Sequence, residues 1–181
     1  MTGAKGLAFR KFRTALESIL APTDGSALSL AATLKALDFA RRLQARLVLF
    51  SAIPAYQYPI YVGGIPFEYP SETEYEAQCR VIVAGYLGLV AEVAAEQGVE
   101  VRQRVVFNSN TAQAIVAMAD DEHCSLIFMG SHGRGGLSRM FLGSVALKTL
   151  TLAHGAVLVD HPTPEEITQV ETLMKENAIE A

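Results

Sequence analysis

Cysteine is scarce in this chain: Cys79 and Cys124 are the only two among 181 residues. Two thiols exclude a disulfide framework and a four-cysteine zinc centre, so reduced thiols in a cytosolic setting are the expectation. Long apolar runs are also missing. The longest, Val81 to Ala91, falls short of the ~18 residues a bilayer span needs and fits a buried helix instead. There is no excess of positive charge. The formal net charge is -4, which argues against a strongly basic nucleic-acid binder. The basic N-terminus lacks a following apolar signal core, because Glu17 and polar residues interrupt it. With no targeting segment and no membrane span, a cytoplasmic location is expected. No pair of catalytic carboxylates stands out. A phosphate loop of the Walker type is absent, since Leu147 stands where Lys148-Thr149 would need a preceding glycine. The dinucleotide fingerprint is absent too, since Asp24-Gly-Ser after the first strand holds one glycine.

What is present is a chain that is 50% hydrophobic and 19% charged, enough for one domain with a buried core. Charge is unevenly placed. Lys5, Arg10, Lys11 and Arg13 make a basic arm of residues 1–15, and five Glu against one Lys make an acidic tail of residues 163–181. Both ends are expected to be solvated, or to contact each other or a partner.

Apolar periodicity sets out the elements between these ends. Ser18 to Thr23 is a short apolar strand entering the turn Asp24-Gly25-Ser26. From Ala27 to Ala45, Leu30, Ala31, Leu34, Leu37 and Leu43 recur at helical spacing, with Ser26 as N-cap. Arg46 to Ile53 is a second strand. Residues 54–70 hold four of the seven prolines and five aromatics. This is a long loop, a lid or partner surface on one reading and a loop packed on its own aromatics on the other. Ser71 and Glu74 form a capping box, and Gly98 suits the left-handed end of the helix they open. A strand follows over Val99 to Phe107, then a helix capped by Asn110. Leu126 to Met129 and Ala156 to Val159 are further strands, separated by a helix from Ser144 to Ala153. An acidic amphipathic helix closes the chain, with Ile167, Val170 and Met174 on one side.

Continuously apolar strands alternating with amphipathic helices predict a parallel sheet covered on both faces. Right-handed crossovers with one reversal predict an α/β, five-stranded doubly wound sheet of order 3-2-1-4-5. Its ligand crevice lies where the order reverses, between strands 1 and 4. The loops there are Thr23 to Ser26 and Gly130 to Gly133. Gly130 and Gly133 let backbone N–H groups approach an anion. Gly143 and Ser144 open a helix whose first turn offers unpaired donors, and Arg134 and Arg139 add charge. Composition leaves two readings open, a phosphate site and a glycine-rich turn without a ligand. His132 lies on this loop without a visible base or nucleophile partner, and is read as solvated. His123-Cys124 is read as packing rather than as a metal site.

Ile19-Leu-Ala-Pro-Thr-Asp-Gly-Ser26, together with Leu126 to Val145, resembles the universal stress protein family. The second stretch carries that family's ATP-loop spacing at Gly130, Gly133, Gly143 and Ser144. The resemblance spans residues 16–162. It implies an adenine nucleotide alpha hydrolase-like, Rossmann-like sandwich and the ATP-binding subclass. By position, it implies that Pro22, Thr23 and Ala52 line the adenosine. Asp24 would contact the ribose or hold a metal-bound phosphate, and Met129 and Gly130 would face sugar and base. Gly133, Arg134, Gly143, Ser144 and Val145 would cradle the phosphates. ATP, AMP or ADP with magnesium or manganese is the implied ligand, and a homodimer through strand 155–160 the implied assembly.

Three positions depart from the family pattern. Asn108 stands for a common Gly, Ser125 for a common Asp, and His154-Gly155-Ala156 for the usual entry to the last strand. None touches the phosphate loop. The implied role is a nucleotide-dependent stress sensor or regulator. The alternatives are a slow ATPase or phosphotransferase using the same loop, and a nucleotide-free interaction scaffold. Without a water-positioning base, enzymatic activity ranks second.

Overall fold

The computed structural model describes residues 16–58, 70–133 and 142–179. The basic arm, most of the tyrosine-proline loop, and both Arg134 and Arg139 lie outside these residues. The strands are β1 (Ser18–Pro22), β2 (Arg46–Ile53), β3 (Val101–Phe107), β4 (Leu126–Gly130) and β5 (Ala156–Asp160). The helices are α1 (Ala27–Leu43), α2 (Glu72–Glu96), α3 (Thr111–Asp121), α4 (Ser144–Leu152) and α5 (Pro164–Glu176). All strand pairs are parallel, and the sheet order is β3-β2-β1-β4-β5. The expected order and crevice position hold.

Alternate residues of each central strand feed two cores, as a sheet buried on both faces requires. Ile19, Leu47, Leu49 and Phe128 meet α1, α2 and α5 on one face. Leu20, Val48, Phe50, Ile127 and Met129 meet α3 and α4 on the other.

Local chemistry places the helix starts. Ser26, Ser71, Asn110 and Thr163 each accept a hydrogen bond from a first-turn N–H, and Ser71/Glu74 and Thr163/Glu166 are full capping boxes. Gly98 adopts φ 69°, the left-handed conformation its position predicts. The third strand begins two residues later than the alternation suggests. The Val99 N–H donates to Ala94 O at 3.0 Å, so Val99 still belongs to the end of α2.

Two elements depart from the sequence reading. Among the described residues, α2 has the length and mean hydropathy of a membrane-crossing helix, 1.4 over an 18-residue window. Averaging over a window passes across the isolated charges that break the apolar run. In the fold, Val83, Tyr86, Leu87, Val90 and Ala94 of this helix belong to the core. The acidic C-terminal segment forms the expected amphipathic helix, but packs on α1 rather than being solvated or meeting the other end or a partner. Val170 and Met174 are buried in the same core, and Lys35 of α1 reaches both Asp160 (3.1 Å) and Glu166 (2.7 Å). The apolar side expected on this helix is its docking face on the core.

Candidate functional site

The turn after β1 is built around one carboxylate. Asp24 Oδ1 accepts from the Ser26 N–H at 3.1 Å, the Ser26 hydroxyl at 2.7 Å and the Ser29 hydroxyl at 2.6 Å. Thr23 Oγ1 accepts from the Gly25 N–H at 3.1 Å and lies 2.8 Å from Ser29 Oγ. Gly25 sits at φ 84°, directly over the ring of Tyr86. Tyr86 is itself fixed by a 2.6 Å bond between its hydroxyl and that of Ser51. The network holds Asp24 at the C-terminal edge of the sheet, facing β4.

The loop after β4 meets this turn. A Cβ on Gly133 would overlap Asp24 Oδ2, so the glycine backbone lies flat against the carboxylate. A Cβ on Gly143 would fall 2.9 Å from Ser131 O, the atom that accepts the Gly143 N–H at 2.8 Å. These two glycines are close-approach positions, not flexible spacers.

Between the loops lies a cavity of about 330 Å³, within the usual range for a small-molecule site. Pro22, Thr23 and Asp24 form one wall, and Met129, Gly130 and Gly133 a second. Ala52, Gly143, Ser144 and Val145 line it as well. Each sequence-predicted site residue within the described chain therefore lines one cavity, while Arg134 lies outside the described residues. Sequence reading missed Ser29, Thr111, Ile115, Ser131 and Ala146, which also line it, and His132, read as solvated, is half-buried in the same lining. Ser29 had a readable signal, since it falls in the first turn behind the Ser26 cap. Thr111 and Ile115 did not, because their position depends on how α3 packs over β2 and β1.

The start of α4 differs from the other four helices. Its N-cap is Gly143, which supplies no side-chain hydrogen bond. Ser144 is the first helical residue, where the sequence placed the helix start. The first turn, Ser144-Val145-Ala146, faces the cavity. Its backbone donors and the positive helix end thus meet the crevice without a side-chain oxygen from the N-cap residue.

Other singled-out groups lie elsewhere. Cys124 Sγ is 3.4 Å from Ser18 Oγ at the opposite end of the sheet, and burial pushes its thiol above the ordinary range. His154 contacts Asp120 at 3.2 Å on the surface. Tyr56, Tyr58 and Tyr75 form an aromatic cluster near the end of β2, with Arg80 over Phe107 at 4.8 Å. Among the described residues no group of three or more His, Cys, Asp or Glu side chains could enclose a metal ion.

Residues 16–161 match the sequence model of the universal stress protein family. The chain belongs to the universal stress protein family. A relative, universal stress protein MJ0531 of Methanocaldococcus jannaschii, is 33% identical over 148 residues, covering 79% of this chain and 81% of the relative. A universal stress protein of Mycolicibacterium smegmatis is 33% identical over 144 residues, 80% of this chain but 45% of that longer protein. Among solved structures, hypothetical protein MJ0577 superposes with a TM-score of 0.65 at 21% identity, covering 83% of this chain and 99% of that one. A universal stress protein in complex with cAMP gives 0.59 at 22% identity, with coverages of 82% and 98%. One from Archaeoglobus fulgidus in complex with dAMP gives 0.53 at 18% identity, with coverages of 80% and 96%. At these identities the structures establish the universal stress protein fold.

Proposed function

We propose that this universal stress protein binds an adenine nucleotide, ATP in the first place, in the β1/β4 crevice, and acts as a nucleotide-dependent regulator. The observation that carries the reading is the helix start left without a side-chain cap at Gly143-Ser144, facing a cavity edged by close-packed Gly133 and Gly143. Backbone donors and a helix dipole suit phosphate oxygens. The apolar end made by Ala52, Ile115 and Met129 suits a base. The cAMP and dAMP bound to relatives agree with that class of ligand.

One carboxylate at the crevice fits magnesium or manganese held mainly by phosphate oxygens and water, since Mg2+ keeps much of its hydration and takes few protein ligands. Asp24 would be that ligand, and the ion would neutralise clustered phosphate charge.

A homodimer through β5 is part of the proposal. The two sheet edges differ in character. On β3, Arg104 and Arg102 are ion-paired with Glu122 at 2.6 and 3.5 Å, and charge of this kind blunts an edge. β5 is apolar from Ala156 to Val159, and Leu147 and Leu150 of neighbouring α4 are exposed. A cytoplasmic location belongs to the same proposal.

The test is mass analysis of small molecules released on denaturing the purified protein, with calorimetric titration of ATP. Retained adenine nucleotide, or saturable ATP binding that Gly143→Val abolishes, is the expected result. Neither retention nor a calorimetric signal would overturn the reading. Conversion of ATP to ADP over time separates a regulator from an ATPase, and size-exclusion mass measurement decides the dimer.

A further inference from the structure

A second cavity, of about 400 Å³, lies on the other side of the β4 loop. Ser131, His132, His161, Pro162, Pro164 and Ile167 line it. The imidazoles of His132 and His161 face each other with ring centroids 6.5 Å apart and planes at 58°. Strand register brings them together. Gly130 pairs with Asp160, and the Ser131 N–H donates to Asp160 O at 2.8 Å, so the two histidines leave adjacent parallel strands side by side.

Both backbones are held. On one side Gly143 donates to Ser131 O at 2.8 Å. On the other, Pro162, the Thr163/Glu166 capping box and the Lys35 bridge between Asp160 and Glu166 fix the entry to α5. His132 Nδ1 lies 3.2 Å from the buried hydroxyl of Ser131. An Nδ1–H donated to that hydroxyl leaves the Nε2 lone pair for an ion, the outer-shell arrangement that orients metal-binding histidines.

We propose that His132 and His161 form a two-imidazole site for a divalent transition ion of the Ni2+, Cu2+ and Zn2+ class. With metal–nitrogen bonds near ~2.0 Å, two imidazoles on one ion place their centroids roughly 5–6.4 Å apart. The observed 6.5 Å lies just beyond the wide end of that range, so the exposed His161 side chain has to swing toward His132 for both to hold one ion. No third His, Cys, Asp or Glu among the described residues completes a cluster, so water or an anion fills the remaining positions. Imidazole selects for these borderline ions and against Mg2+ and Ca2+. The site shares Ser131 and His132 with the wall of the β1/β4 cavity, but uses neither Asp24 nor the phosphate-facing helix start, and it does not rest on the nucleotide reading.

The full chain has four histidines, His123, His132, His154 and His161, which makes the test resolvable. Untagged protein is titrated with substoichiometric NiCl2 while the imidazole signals are followed by 1H–15N NMR, alongside calorimetry of the wild type, His161→Ala and His132→Ala. The expected result is joint, early broadening of the His132 and His161 signals, with affinity at least ten-fold lower in each variant and no response to MgCl2. Equal broadening of all four histidines, broadening of only one of the pair, or unchanged affinity in both variants would overturn the site. His161 is exposed, so its replacement leaves the fold intact as a reference.

Discussion

The backbone of Gly133 is packed against the carboxylate of Asp24, so the two loops at the sheet's reversal touch through a contact with no room for a side chain. A methyl group at 133 would displace either the loop or the carboxylate, and the three donors on Asp24 Oδ1 resist the second. Gly133→Ala is expected to weaken ATP binding about ten-fold or more, equivalent to ~1.4 kcal/mol. Calorimetric titration reads this directly. An unaltered Kd would separate the contact from the binding site.

Gly25 and Tyr86 make a second such pair. At φ 84°, with a Cβ 2.7 Å from two ring carbons of Tyr86, Gly25→Ala combines a left-handed strain with a steric clash. A loss of about 1–3 kcal/mol is expected in urea unfolding. Tyr86→Phe deletes the bond to Ser51 and leaves a buried hydroxyl without it, for about 1–2 kcal/mol. Wild-type midpoints in both variants would refute the account of the turn.

The α1–α5 junction carries a pH dependence. The Lys35 ammonium, followed by the Thr163 backbone N–H, holds the Glu166 carboxyl below its ordinary range. For Lys35, desolvation pulls its pKa down, but bonds to Glu166 and Asp160 outweigh it and leave the value raised. A depressed carboxyl stabilises the fold above its ordinary pKa and loses that contribution as pH falls through the folded value. A raised ammonium stabilises below its ordinary pKa and loses that contribution as pH rises through the folded value. The junction is therefore strongest between these limits. Lys35→Met should lower stability at neutral pH by at most about 1 kcal/mol, since the side chains are partly exposed. It should also flatten the acid limb of Tm against pH. An acid limb identical to wild type would rule the junction out as its source.

The acidic C-terminal helix is structural. Met174 is 7% exposed and Val170 4% exposed within the main core. Met174→Ala should cost about 2–4 kcal/mol, and truncation after residue 162 should lower Tm further. A peripheral tail would leave thermal unfolding unmoved.

The chain's local chemistry was legible residue by residue. Ser71 with Glu74 announced a capped helix start, Gly98 its end, and the unbroken apolar runs of β1, β2 and β4 a sheet buried on both faces. These features depend on neighbours within a few positions, where the spacing of side chains follows from the backbone period. The order of strands followed from handedness and one reversal. That was enough to name the crevice and its two loops; the resemblance to the universal stress protein family supplied the rest of the ten lining residues.

Pairings over long separations were not legible. The start of α4 at Ser144 was expected, but not the hydrogen bond from Gly143 to Ser131 that ties it to the β4 loop. Thr111 and Ile115 reach the cavity through the packing of α3. His132 meets His161 only because Gly130 and Asp160 share a register. Residue types and their spacing dictated the elements, since those depend on local backbone sterics and hydrogen bonding. Which side chains converge was settled by sheet register and helix packing, since both are products of burying the two cores together.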